Sequence, residues 1–214
     1  MKKLLIFDLD GTLVDTLLDL SNSVNFALKK FHFPIKEVEE VRKAIGNGTI
    51  KLIERCAPIG TEDNILKKLH SEFKKHYQNN IANNTIPYKN VSSVLFYLKS
   101  KGYKLAVVSN KDHDLTIKII NDLFPKLFDV VQGSYHDHPK KPDPFLIEKV
   151  IKEMGVNKNA LTYIGDTNVD EESALNASLD YIIVSYGYRT KEELLHQVKT
   201  RNIIDEIKNL EKIF

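Results

Sequence analysis

A chain of 214 residues with 42% hydrophobic and 28% charged content has the composition of a globular protein with room for a well-buried core. A formal net charge of +2, with lysines spread along the chain, argues against a nucleic-acid surface, and no run approaches the ~20 apolar residues of a membrane span. The single cysteine, Cys56, excludes an internal disulfide and suits a reducing, cytoplasmic setting; following Leu52 and Ile53 on a helical pattern, it reads as core packing.

Leu4-Leu5-Ile6-Phe7 is an apolar run of the kind that forms a fully buried strand in a parallel sheet, and the predicted strand covers 4–9. It stops at Asp8 and Asp10, and Gly11 then permits a sharp turn. In an extended chain positions 8 and 10 point the same way, so both acids face one centre. Two acids beside apolar residues are costly in a core but useful at the carboxyl end of a strand, where open α/β sheets bind ligands.

From 16 to 84 the pattern is helical. Leu17, Leu20, Val24, Ala27, Leu28 and Phe31 make one stripe, Ile35 to Ile45 a second, and Gly48 to Ala57 a third. Ile65, Leu66, Leu69, Phe73 and Tyr77 make a fourth, which predicts an inserted helical bundle. Strands predicted at 103–109, 128–132, 161–165 and 181–185 then alternate with helices at 90–101, 113–122, 144–154, 168–178 and 190–200. Gly102 reads as a helix stop, and Asn202-Ile203-Ile204 with a terminal helix from Asp205 closes the chain. The fold class is α/β: a parallel sheet core, residues 1–15 and 85–214, with a helical bundle inserted at 16–84.

Three later segments add chemistry to the two acids. Leu105 to Val108 leads into Ser109-Asn110, Lys141-Pro142 lies on a stiff loop, and Leu161 to Gly165 leads into Asp166 and Asp170. Asp8-x-Asp10-Gly11-Thr12, Ser109-Asn110, Lys141-Pro142 and Gly165-Asp166-x-x-x-Asp170 together resemble the four motifs of the haloacid dehalogenase superfamily, in its order and spacing. Ile45-Gly46-Asn47-Gly48 is similar to the phosphoglycolate phosphatase-like branch. Ala177-Ser178-Leu179 departs from the small Ala-Gly pair of many relatives, a difference expected to be structural.

The resemblance implies that the α/β core is a Rossmann-like parallel sheet and that the inserted bundle at 16–84 is a helical cap domain. It also implies a phosphatase acting on a small phosphorylated metabolite, phosphoglycolate being favoured, through an aspartyl phosphate on Asp8. Asp10 would protonate the leaving alkoxide and then deprotonate water. Ser109, Asn110 and backbone N–H groups near Gly11 would bind the phosphoryl oxygens, and Lys141 would offset their charge. Thr12, grouped with these substrate contacts, shapes the turn more than it reacts. Mg²⁺ suits this site because it takes oxygen ligands, here Asp8, Asp166, the carbonyl of Asp10, and Asp170 directly or through water. In the cap, Arg42, Asn47 and Lys51 are candidates for the non-phosphate end of the substrate, and for Arg42 a solvent-facing helix charge is an equal alternative.

Competing readings share parts of this pattern. A phosphomutase or pyrophosphatase has the same motifs; a dehalogenase has no use for Asp10; and a non-enzymatic phosphoacceptor domain lacks the inserted helices. The expected partners are a small phosphorylated metabolite, no nucleic acid and no membrane, in a monomer or homodimer. His136 and His138 sit in a loop without zinc-ligand spacing to cysteine.

Overall fold

Strand β1 (Leu4–Phe7) is apolar at every position because it is buried on both faces, with a parallel neighbour hydrogen-bonded along each edge. The computed structural model describes residues 3–46, 48–81 and 83–214. After β1 the elements run β2 (Val14–Asp15), α1 (Leu17–Lys30), α2 (Val38–Ala44), α3 (Thr49–Cys56), α4 (Asp63–Asn80), β3 (Ile86–Pro87), α5 (Val91–Ser100) and β4 (Lys104–Asp112). Then come α6 (His113–Leu123), β5 (Val130–Ser134), α7 (Phe145–Met154), β6 (Leu161–Gly165), α8 (Asn168–Asn176), β7 (Asp180–Val184), α9 (Lys191–Gln197), β8 (Ile203–Ile204) and α10 (Leu210–Ile213). The chain divides into two compact units, Met1–Asp15 with Pro87–Phe214, and Thr16–Ile86.

The first unit is built on a six-stranded sheet of order β5-β4-β1-β6-β7-β8, parallel at every paired edge. Alternation along the strands sorts its residues by face. Leu4 and Ile6 join Ala106, Val108, Leu161 and Tyr163 in one buried cluster, completed by Leu146, Ile147 and Val150 of α7. Each such side chain contributes about 1.5–3 kcal/mol by leaving water. The order places β1, β4 and β6 side by side, so their carboxyl ends converge on one edge of the sheet, the general ligand position in open α/β folds.

The second unit consists of α1 to α4. Leu20, Val24, Ala27 and Leu28 of α1 and Leu69, Phe73 and Tyr77 of α4 are its buried stripes, at the spacing one face of a helix requires. Asp19 is a buried carboxylate in the first turn of α1. It accepts hydrogen bonds from the backbone N–H and side-chain amide of Asn84 (3.0 and 2.8 Å) and from Thr85 Oγ1 (2.7 Å), which fastens the returning chain to the helix. Cys56 is buried in this unit, and burial pushes its thiol up to about 11, the behaviour of a packing residue.

Several boundaries differ from the predicted ones. The strand expected to end at 109 continues to Asp112, with a register irregularity between Val108 and Asp112 that reads as a bulge. Helix α9 stops at Gln197 because Val198 turns to an extended conformation. The terminal segment begins with a 3₁₀ turn at Ile207–Asn209 before α10. Ser178, the residue that departs from the family pattern, lies in the left-handed region at φ 58°, donating its N–H to Leu175 O at 3.0 Å. That is the stop position a glycine occupies at lowest cost.

Candidate active site

Asp8 is the first residue beyond β1, and its N–H continues the ladder by donating to Ile164 O at 2.9 Å. The chain then folds back on Leu9, whose carbonyl accepts from Thr12 N (3.3 Å), Leu13 N (2.9 Å) and Val14 N (3.1 Å). Gly11 takes φ 88° within this turn, and any side chain there would collide with the Asp166 carboxylate. Across the sheet, Asp166 follows β6 and opens the approach to α8. Thr167 and Asp170 form the capping box of that helix: Thr167 Oγ1 and N–H both reach Asp170 Oδ2, at 2.7 and 3.0 Å.

Asp8, Asp166 and Asp170 present carboxylate oxygens within 4.8 Å of one another, all buried. Asp166 is gripped by Thr12 Oγ1 (3.1 Å) and the N–H of Tyr188 (3.0 Å), the latter on a turn where Gly187 leaves no space for a Cβ. Asp170 Oδ1 accepts from Lys141 Nζ (2.7 Å) and Tyr163 OH (3.0 Å). Lys141 is itself buried and bridges Asp170 to Asp8, with Nζ 2.8 Å from Asp8 Oδ1. Apart from this ion pair, Asp8 Oδ1 is a buried atom that accepts no directed hydrogen bond.

The electrostatics separate the three acids. Burial raises the Asp8 carboxyl to about 7, with Lys141 pulling down and Asp170 pushing further up. Burial, then Asp170 and Asp8, hold Asp166 well above the usual carboxylate range. Burial also acts on Asp170, but Lys141, Thr167 and Tyr163 outweigh it and keep this carboxyl below that range. Burial disfavours the Lys141 ammonium, yet Asp170 and Asp8 hold it well above the usual lysine range. Three clustered carboxylates against one ammonium form an all-oxygen donor set that fits a hard divalent cation.

The sequence-derived residues separate into two groups. Asp8, Asp10, Gly11, Thr12, Ser109, Asn110, Lys141, Asp166 and Asp170 all belong to the first unit. Within it, Thr12 is fully buried, with its hydroxyl on Asp166. Asn110 clasps the lysine loop at both ends of its amide: Nδ2 donates to Lys141 O (3.0 Å) and Oδ1 accepts from Lys141 N (2.7 Å). Ser109 is buried and accepts the N–H of Lys111 at 3.2 Å. In the second unit, Arg42 is paired to Glu39 through Nε and a terminal nitrogen, both at 2.8 Å, and Lys51 to Glu54 at 2.6 Å. Asn47 lies outside the described residues. Sequence reasoning missed Lys111, whose Nζ meets both oxygens of Asp10 at 2.8 and 2.9 Å. Its signal was a lysine directly after Ser109-Asn110 on a strand thought to have ended. Tyr163, Thr167 and Tyr188 were missed as well, since their roles depend on contacts that only folding brings about.

Residues 5–184 match the sequence model of the haloacid dehalogenase-like hydrolases. The chain belongs to that family. It is 33% identical over 187 residues to a phosphoglycolate phosphatase of Aquifex aeolicus (strain VF5), covering 87% of this chain and 86% of that one. A phosphoglycolate phosphatase of Psychrobacter arcticus is 34% identical, with 90% and 87% covered. Among solved structures, one from Lactobacillus delbrueckii subsp. bulgaricus, assigned as a phosphoglycolate phosphatase, matches with a TM-score of 0.93 at 28% identity, over 100% of this chain and 98% of that one. As a haloacid dehalogenase-like hydrolase the chain is an enzyme of the phosphoric monoester hydrolase class. Among the described residues no helix is long and apolar enough to cross a membrane.

Proposed function

We propose that this hydrolase cleaves the phosphate monoester of a small metabolite, phosphoglycolate or a close analogue, through an aspartyl phosphate on Asp8, with Mg²⁺ as the divalent cation. The observation that carries the reading is the buried Asp8–Asp166–Asp170 cluster with Lys141 bridging two of its members. Phosphoglycolate enters through the names of the relatives in Aquifex and Psychrobacter.

Asp8, Asp166, Asp170 and the Asp10 carbonyl would hold the metal, which when bound supplies charge neutralisation and a template for the phosphoryl group. The chain's own residues do the rest. An oxygen of Asp8 forms a bond to phosphorus as the ester P–O bond breaks, and Asp10 gives its proton to the departing alkoxide. A water then adds to phosphorus, the Asp8–P bond breaks, and the water's proton returns to Asp10. Lys141 balances negative charge on Asp8 and on the transferring group throughout. Asn110 supports this step by fixing the backbone from which Lys141 projects. Ser109 and the backbone N–H groups near Gly11 receive the phosphoryl oxygens. The helical unit at 16–84 acts as the cap that selects substrate, with Arg42, Asn47 and Lys51 as its contact candidates, and a cytoplasmic setting agrees with one buried, unpaired cysteine.

Phosphate release across phosphoglycolate, sugar phosphates, nucleotides and pyrophosphate, each with Mg²⁺ and with EDTA, tests the reading. The expected result is Mg²⁺-dependent release ranked with phosphoglycolate first. Release that EDTA leaves undiminished overturns the metal assignment, and another compound at the head of the ranking overturns the substrate.

A further inference from the structure

Two lysines of this centre pair with three of its four carboxylates. Lys141 serves Asp8 and Asp170, while Lys111 grips Asp10 through both oxygens at 2.8 and 2.9 Å. The Lys111 side chain is 5% exposed and that of Asp10 20%, so this pair is largely withdrawn from solvent. A buried ammonium is expensive to desolvate and is kept only where a partner and a fixed geometry compensate it.

That geometry is built. Lys111 stands on the irregular end of β4, within the register shift between Val108 and Asp112. Its N–H donates to Ser109 Oγ at 3.2 Å, and its carbonyl accepts from Thr116 Oγ1 at 3.4 Å. Gly133 closes the other side: a Cβ there would run into the Lys111 carbonyl, His113 and Thr116. The backbone of Lys111 is therefore clamped between neighbours, and the ammonium is delivered to Asp10 from a fixed point.

We propose that Lys111 is a positioning residue for Asp10, holding that carboxyl in the orientation from which it serves the leaving-group oxygen. Lys111 thereby sets how well the enzyme cleaves esters of basic alcohols. The proposal rests on the role of Asp10 put forward above. An alkoxide leaves poorly without a proton, whereas p-nitrophenolate leaves unaided, so misplacing the acid penalises the first far more than the second. Because kcat/KM reports only steps up to departure of the alcohol, it isolates this effect from the later attack of water.

The test compares kcat/KM on 2-phosphoglycolate and on p-nitrophenyl phosphate for Lys111→Met, Lys111→Arg, Asp10→Asn and the double variant Asp10→Asn/Lys111→Met, in saturating Mg²⁺. Lys111→Met should lose about a hundredfold on the alkyl ester and only a few-fold on the aryl ester. Lys111→Arg should recover most of the alkyl activity, since a guanidinium also engages both carboxylate oxygens. In the Asp10→Asn background Lys111→Met should cost nothing further on the alkyl ester, because a positioning residue has nothing left to position. Equal losses on the two esters, or an additive loss in the double variant, would overturn the proposal. If Asp10→Asn itself fails to discriminate between the esters, the acid role of Asp10 falls and takes this proposal with it. If Asp10→Asn discriminates and Lys111→Met does not, only the present proposal falls. Should Lys111→Met not fold, Lys111→Gln carries the same comparison.

Discussion

Asp8→Asn should abolish turnover and, in the absence of metal, make the protein more stable. Burial raises the Asp8 carboxyl from its ordinary 3.8 to about 7, even with Lys141 beside it. A folded-state value above the unfolded one means that ionised Asp8 works against folding. The cost is absent below about pH 4, grows between about pH 4 and 7, and is complete above. A pKa difference of about 3 corresponds to about 4 kcal/mol at pH 8. Asparagine removes that cost but also gives up the ion pair to Lys141, which keeps its partner Asp170. The attraction of Lys141 is already counted in the raised value, so the gain is about 4 kcal/mol, or about 8–16 °C in midpoint for a chain of this size. Thermal unfolding of wild type and Asp8→Asn in EDTA, at pH 5 and pH 8, reads it directly. The gain should be largest at pH 8, less than half as large at pH 5, and reduced at pH 8 by added Mg²⁺. An asparagine variant that melts below wild type at pH 8 in EDTA, or a gain independent of pH, would refute the reasoning.

Other perturbations probe other parts of the centre. Lys141→Met should lower stability in EDTA by about 3–5 kcal/mol, because it leaves Asp170 and Asp8 buried without their cation. Its activity should fall by a similar factor on every phosphate ester tried, and a loss confined to some substrates would contradict the assigned role. Gly11→Ala combines φ 88° with a collision at Asp166. It should weaken Mg²⁺ binding by at least about tenfold, measured by calorimetry, and raise the Mg²⁺ needed for half-maximal activity. Ser178→Gly should stabilise by about 0.5 kcal/mol without changing kcat, since it relieves a left-handed serine at the end of α8. An unchanged or lower denaturation midpoint would count against that account.

Much of the sheet was legible because its strands are apolar runs that end in chemistry. Leu4–Phe7 and Leu161–Gly165 read as buried strands from composition alone, and the acids that follow marked the active edge. The four stripes of the helical unit were equally plain, since the period of a helix shows wherever one face is buried. Lys111 stayed hidden because it depends on a bulge, and register irregularities leave no periodic trace. Asn110 carried a clear motif but not its contacts: nothing in Ser-Asn tells that the amide closes on the backbone of residue 141. Tyr188 acts on Asp166 through its N–H, a group every non-proline residue possesses, so its identity gave no hint.

The place of β1 in the sheet has a consequence for synthesis on the ribosome. Leu4 pairs with Lys104 on one edge and with Leu161 on the other. The strand that carries the nucleophile is thus translated about a hundred residues ahead of one partner and further still ahead of the second. At a translation speed of about 5–20 residues per second, this apolar segment waits several seconds with both edges open. Such a segment is a template for pairing with other nascent chains. The helical segment, a compact unit over Thr16–Ile86, has been synthesised in full during that wait. Asp8 and Asp166 then meet only after β6 has taken its place, by which time Lys141 has already been made.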